Sequence, residues 1–325
     1  MRKPLRAAVI GAGYLGKFHA RKYAQLPGCT LAGVVDVDEA RAREIAAENN
    51  TQGYADYRRL LGQIDVASIV VPTDAHFAVA QACLDAGVHI LVEKPVTRTL
   101  EEARTLVALA QSKGLVFQVG HLERFNPAIQ AVREQIFQPL FIESERLAVF
   151  KPRGTDVNVV LDLMIHDIDL ILSIVKSDVT EVRSSGFKVL TPAVDIATAR
   201  IEFANGCVAN VSSSRVSQQS VRKLRIFQPD SYLSIDCENF HVRSVRKAPG
   251  ETPDSMPRVE QNEQRFEKAD PLLAEIESFL NAVRSETEPL VSGNDGRRAL
   301  EVALKVCGQM NLSFNALGGA SEVFA

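Results

Sequence analysis

Five apolar runs of strand length, RAAVI, LAGVVD, VASIVV, HILVE and LVFQV, recur through the first 120 residues. Helix-like segments such as EARAREIAAEN, HFAVAQACLDAG and TLEEARTLVALAQSKG lie between them. A strand that is apolar at every position is covered on both faces, and strands joined through helices run parallel. The pattern predicts a doubly wound α/β domain, a Rossmann fold with a parallel sheet. Ligands of such sheets bind beyond the carboxyl ends of the strands, so the residues that follow each run carry the functional information.

The first run enters GAGYLG, Gly11 to Gly16, and Asp36 follows 20 residues after Gly16 at the end of the second run. A lone GxGxxG is a weak signal. Between a strand and a helix, with an acidic residue at this spacing, it is a dinucleotide fingerprint. Gly11 allows the tight turn, Gly13 lets the pyrophosphate approach, and Gly16 packs helix on strand. Tyr14 lies within the same turn. The helix N-terminus offers free N–H groups to the diphosphate, and Asp36 is placed for the adenosine ribose, which favours NAD over NADP. Arg41 reads as a solvated helix residue. At the same sheet edge, VPTDAH presents Thr73 and His76, and VEKP presents Glu93 and Lys94. A strand-end lysine is ordinarily just a chain reaching water. Here the edge is the cofactor edge, and Pro95 biases Lys94 to an extended backbone.

Beyond about residue 125, shorter alternating runs such as LFIESERLAVF, DIATARIEF, CVANVSSSRV and YLSIDC are broken by turn signals, as in an antiparallel meander with one covered face. The chain therefore divides into a Rossmann domain over 1–122 and an α+β domain over 123–325, with a largely antiparallel open sheet and two C-terminal helices near 270–286 and 294–315. The Pro-, Glu- and Gln-rich stretch 248–268 reads as an exposed loop. Within the second domain, NVVLDLMIHDIDLILSIV (158–175) is an apolar helix. At 100° per residue, Asn158, Asp162, His166, Asp169 and Ser173 share a sector of about 80°, with Asp167 opposite, exposed or capping. Buried polar groups need partners. Either the stripe is an internal hydrogen-bond network, or Asp162 and His166, one turn apart, form a carboxylate-oriented base. No further His or Cys stands at ligand spacing for a metal.

Composition removes several alternatives. With 46% hydrophobic and 24% charged residues and a net charge of −3, the chain has no electrostatic footprint for nucleic acid. No apolar stretch approaches the roughly 18 residues of a membrane span. Five scattered cysteines suggest free thiols in a reducing cytoplasm.

GAGYLGKFH, the EKP at 93–95 and the Asp-x-x-x-His at 162–166 together resemble the glucose–fructose oxidoreductase, inositol dehydrogenase and MocA (Gfo/Idh/MocA) family of sugar dehydrogenases, over essentially the whole chain. The resemblance implies that Lys94, Asp162 and His166 surround the oxidised carbinol carbon. It departs from the family pattern at Leu161, Leu163 and Ile165, where glycines are usual. GHLERFNPA (120–128) looks like the members that act on nucleotide-linked N-acetyl sugars. This implies a substrate side made by His121, Arg124, Asn126 and Asn158, and a 3-keto product passed to an aminotransferase in diamino-sugar lipid A synthesis. The planar fork of Arg124 suits a diphosphate; local pairing is its other use. Family members commonly pair sheet to sheet as homodimers or homotetramers. The competing readings are a free polyol or inositol dehydrogenase and a non-catalytic dinucleotide sensor. The sensor has no use for Lys94, Asp162 and His166.

Overall fold

A computed structural model describes residues 3–151, 157–248 and 258–316, the side chains of 311–316 excepted. The chain forms two compact units, Met1–Leu122 with Asp270–Arg297, and Glu123–Ala269 with Arg298–Ala325.

The first unit is a six-stranded sheet of order β3-β2-β1-β4-β5-β6. Its strands are β1 (Leu5–Ile10), β2 (Cys29–Val35), β3 (Gly53–Tyr54), β4 (Val66–Ile69), β5 (His89–Glu93) and β6 (Phe117–Gly120). Every neighbouring pair is parallel. Helices α1 (Gly16–Gln25), α2 (Glu39–Glu48), α3 (Thr73–Asp85) and α4 (Leu100–Ser112) connect them. The start of α4 is fixed by a capping box in which Thr99 and Glu102 satisfy each other's backbone N–H. The order reverses between β1 and β4, the switch point at which such sheets bind ligands.

One assignment from sequence is corrected here. The helix expected near 270–286, assigned to the second domain, is α7 (Pro271–Ser285), and it belongs to the first unit. Its buried stripe Ile276, Phe279, Leu280 and Val283, at helical spacing, joins Ala20 and Tyr23 of α1 and Val9 and Val34 of the sheet in one core.

The second unit is an eight-stranded sheet of order β14-β13-β12-β11-β7-β10-β9-β8. It comprises β7 (Phe141–Val149), β8 (Val179–Phe187), β9 (Ile196–Phe203), β10 (Val208–Ser217), β11 (Val221–Gln228), β12 (Ser231–Asp236), β13 (His241–Lys247) and β14 (Val259–Arg265). All neighbours are antiparallel except β7 and β10, which run parallel, so the sheet is not a pure meander. One face carries Ile142, Ala209, Val211, Leu224, Ile226 and Ile235 into a core with α6 (Ile165–Val175) and α8 (Gly293–Ala316). The other face mixes charges and aromatics: Lys223 is in register with Glu145, Arg225 is paired to Glu143 at 3.2 Å, and Phe141, Phe227 and Tyr232 cluster beside them.

Of the stretch read as a loop over 248–268, residues 249–257 lie outside the described residues, while 259–265 form the edge strand β14. All seven of its residues are exposed, with the sequence VEQNEQR. An edge strand with charges on both faces is protected from pairing with other chains, and this pattern is hard to tell from a loop.

Candidate active site

In the first unit, β1 ends at Ile10 and turns through Gly11 with φ +103°. A Cβ on Gly11 would lie 2.4 Å from the Val70 carbonyl oxygen, and one on Gly16 only 1.8 Å from the Gly11 oxygen. Neither position accepts a side chain. A Cβ on Gly13 meets nothing within 4 Å, so this side of the turn is open, as the approach of a pyrophosphate requires. Asp36 follows β2 and holds the turn: its Oδ2 accepts the Ala12 N–H at 2.8 Å and its Oδ1 the Asp38 N–H at 2.9 Å. Each oxygen keeps a second lone pair for a ribose hydroxyl. Arg41 is not simply solvated. It pairs with Asp38 at 3.2 Å and stands 3.8 Å from Asp36. Tyr14 is exposed, edge-on to Phe18 at 5.4 Å.

The strand-end residues divide into surface and interior. Thr73 opens α3, and Lys94, joined to Pro95 by a cis peptide, is half-buried. His76, expected at the cofactor, is instead buried. Its ring nitrogens lie 2.9 Å from the carbonyls of Val71 and of Pro95, and burial pulls its pKa down. A neutral imidazole donates to one of these carbonyls at a time, which ties the loop after β4 to the one after β5. Glu93, also expected at the cofactor, turns inward to His19 at 3.2 Å. Burial pushes its carboxyl up, but the His19 hydrogen bond and the nearby Lys94 charge outweigh this and hold it below the usual range. His121 follows β6 and is buried.

In the second unit, the apolar segment 158–175 is two elements. Val160–Met164 is a π-helical turn and α6 follows from Ile165. Asn158 caps the start, its Oδ1 accepting the Val160 N–H at 2.9 Å, so it serves the helix. Asp162 lies in the π turn and His166 at the second position of α6, both half-buried. A wider turn changes the angle per residue, and the polar stripe breaks up accordingly. Asp169 is buried and takes Arg124 Nε and Nη2 at 2.6 and 2.9 Å. Asp167, expected to be exposed or capping, is also buried. It accepts Arg146 Nε and Nη2 at 2.7 and 3.0 Å, while Arg146 Nη1 reaches Glu123 at 3.0 Å. Arg124 and Asn126, expected from sequence to meet a diphosphate or sugar, both have structural partners within the second unit. Arg124 anchors α6, and Asn126 caps α5 (Pro127–Val132) and donates to the Cys237 carbonyl at 2.9 Å.

Two family descriptions match the chain. Residues 5–121 fit the oxidoreductase family with an NAD-binding Rossmann fold, and 137–231 fit the GFO/IDH/MocA C-terminal domain. The UDP-N-acetylglucosamine 3-dehydrogenase of Acidithiobacillus ferrooxidans is 44% identical over 93% of this chain and 96% of its own. The chain belongs to the Gfo/Idh/MocA family.

This Gfo/Idh/MocA oxidoreductase is more distantly similar to the scyllo-inositol 2-dehydrogenase (NAD(+)) of Bacillus subtilis, at 28% identity over 94% of this chain and 93% of that one. Among solved structures, that of the Acidithiobacillus enzyme superposes with a TM-score of 0.88 at 41% identity, covering 95% of this chain and 98% of that one. NAD is the cofactor, and the open side of Gly13 together with Asp36 fits it. Asp36→Ala should weaken NAD binding about 10- to 100-fold, the loss of hydrogen bonds to a charged group, and narrow any preference over NADP. Titration of both cofactors by fluorescence checks this; unchanged affinities would remove Asp36 from the site. Sequence reasoning missed His19 and Arg146. The spacing Gly16-x-x-His19 is a visible signal for the first. For the second the only trace is an arginine at an inward position of an alternating strand.

Proposed function

We propose that the enzyme oxidises a secondary alcohol of a nucleotide sugar, the 3-hydroxyl of UDP-N-acetylglucosamine, to the ketone. The observation that carries this reading is the likeness to the Acidithiobacillus enzyme at 44% identity, against 28% for the inositol enzyme, each over more than nine-tenths of the chain. Bound NAD⁺ supplies the hydride acceptor. His166 takes the hydroxyl proton on a ring nitrogen, Asp162 orients that ring, and Lys94 stabilises the developing alkoxide with its ammonium group. His121 serves the substrate, and Arg124 contributes by holding α6, the helix of His166, through Asp169. A sugar carbonyl is the natural substrate of an aminotransferase, which we propose as the next step, toward a diamino sugar of lipid A, in the cytoplasm. The exposed outer face of the second unit's sheet is the proposed contact of a homodimer or homotetramer.

The test is a substrate comparison with a carbonyl trap present, because the ketone can take the hydride back. UDP-N-acetylglucosamine should be oxidised while free N-acetylglucosamine and inositol are nearly inert. Binding energy from a remote diphosphate positions the reacting carbon, so truncated substrates lose turnover as well as affinity. Equal turnover of a free polyol would establish the polyol dehydrogenase instead.

A further inference from the structure

Behind the strand end that carries Lys94 lies a line of buried hydrogen bonds, all within the first unit. Tyr23 Oη is 2.9 Å from Ser68 Oγ, Ser68 Oγ is 3.1 Å from His19 Nδ1, and His19 Nε2 is 3.2 Å from Glu93 Oε1. Glu93 Oε2 accepts the Lys94 backbone N–H at 3.3 Å. All four side chains are at least nine-tenths buried. A carboxylate can only accept, so Nε2 carries a proton toward Glu93, and in a neutral ring Nδ1 then accepts from Ser68. Ser68 in turn accepts from Tyr23, whose hydroxyl burial keeps protonated. The line then runs one way, from α1 to β4, back to α1 and on to the end of β5, and closes on Glu93.

A second carboxyl marks which acid holds the charge. Glu275 of α7 is fully buried, and neither of its oxygens has a hydrogen-bond partner among the described residues. Burial and the neighbouring Glu93 push its pKa well up. Two carboxyls so placed cannot both ionise, and the one with donors takes the charge. Glu275 is the neutral member and Glu93 the charged one. Burying a charge is costly and calls for a reason beyond filling space.

We propose that His19 and Glu93 are positioning residues for the reaction. They lock the end of β5 to α1, the helix whose N-terminus faces the cofactor turn, and set a fixed negative charge beside Lys94. Because Gly16 and His19 lie on consecutive turns of α1, cofactor seating and lysine placement are joined through one short rigid element. This inference rests on the role of Lys94 in the proposed function.

The experiment measures kcat and the NAD dissociation constant for Glu93→Gln, His19→Leu and His19→Gln, and for Glu93→Gln combined with Lys94→Met. Glu93→Gln and His19→Leu should lower kcat about 10- to 100-fold, as loss of an orienting outer contact does, with NAD affinity within about threefold. His19→Gln, whose Nε2 still donates to Glu93, should recover most of the rate. In the Lys94→Met background, Glu93→Gln should have no further effect, since residues that act through one another are non-additive. An undiminished kcat in Glu93→Gln, or an equal loss with and without Lys94, would overturn the proposal. If Glu93→Gln does not fold, the contrast between His19→Leu and His19→Gln decides, and equal losses refute it. A wild-type rate in Lys94→Met alone would instead refute the role of the lysine.

Discussion

Replacing Lys94 by Met should lower kcat about 10²- to 10³-fold, the usual effect of removing one electrostatic donor from a developing oxyanion. Met keeps most of the side-chain length and removes the charge, so NAD binding, which we assign to the Gly11–Gly16 turn and Asp36, should be nearly unchanged. Lys94 follows the last residue of β5 and is only half-buried, while its neighbour Glu93 points to the interior. Glu93 is taken up by His19, which leaves Lys94 as the member proposed to serve the alcohol. Single-turnover kinetics with UDP-N-acetylglucosamine, beside a fluorescence titration with NAD, separates the two quantities. Wild-type turnover would make Lys94 an ordinary strand-end lysine.

The parallel sheet was legible because strands covered on both faces are apolar at every position, a pattern that few other structures share. Strand β3 escaped notice because it is only two residues long. Helix α7 was visible as a helix, but its partner was not. An apolar stripe says that a surface is covered and does not name the cover, and chain order suggested the wrong one. The segment 158–175 shows a different limit. A helical wheel assumes one angle per residue, and the π turn at Val160–Met164 breaks that assumption where the family's usual glycines are replaced by Leu161, Leu163 and Ile165. Asp162 and His166 keep their spacing, but Asp167 and Asp169 both find buried arginines, and the wheel had separated them. The partners lie 21 and 45 residues away in sequence. Nothing local to GHLERFNPA distinguishes an arginine that binds phosphate from one that binds Asp169.

The same limit hid the group whose removal should cost the second unit most. Arg146→Met should destabilise it by about 3–5 kcal/mol near pH 7, the range for breaking a buried ion pair. Arg146 is buried on the inward face of β7 and is the shared partner of Asp167 and Glu123, and burial is outweighed by these two carboxylates in holding its proton. Without it, Glu123 keeps, among the described residues, Arg222 at 3.4 Å and the Asn126 amide at 3.4 Å. The loss should depend on pH in a definite direction. In the intact protein, burial pushes the Glu123 carboxyl up, but Arg146, Arg222 and Asn126 bring it below the ordinary value. A depressed carboxyl contributes stability above its unfolded pKa and loses it as pH falls through the folded value. In the variant, burial dominates, so that contribution disappears or reverses sign at neutral pH. The gap between the two proteins should therefore be widest near pH 7 and narrow as pH falls below about 4, near the unfolded Glu value. Arg146→Lys, with one charge but no fork, should fall between them. Urea unfolding of all three proteins at pH 4 and pH 7 measures the gap. A loss below about 1 kcal/mol at neutral pH, the level of an exposed pair, or a gap that does not change with pH, would mean that water reaches these carboxylates and that the triad does not hold α6 against β7.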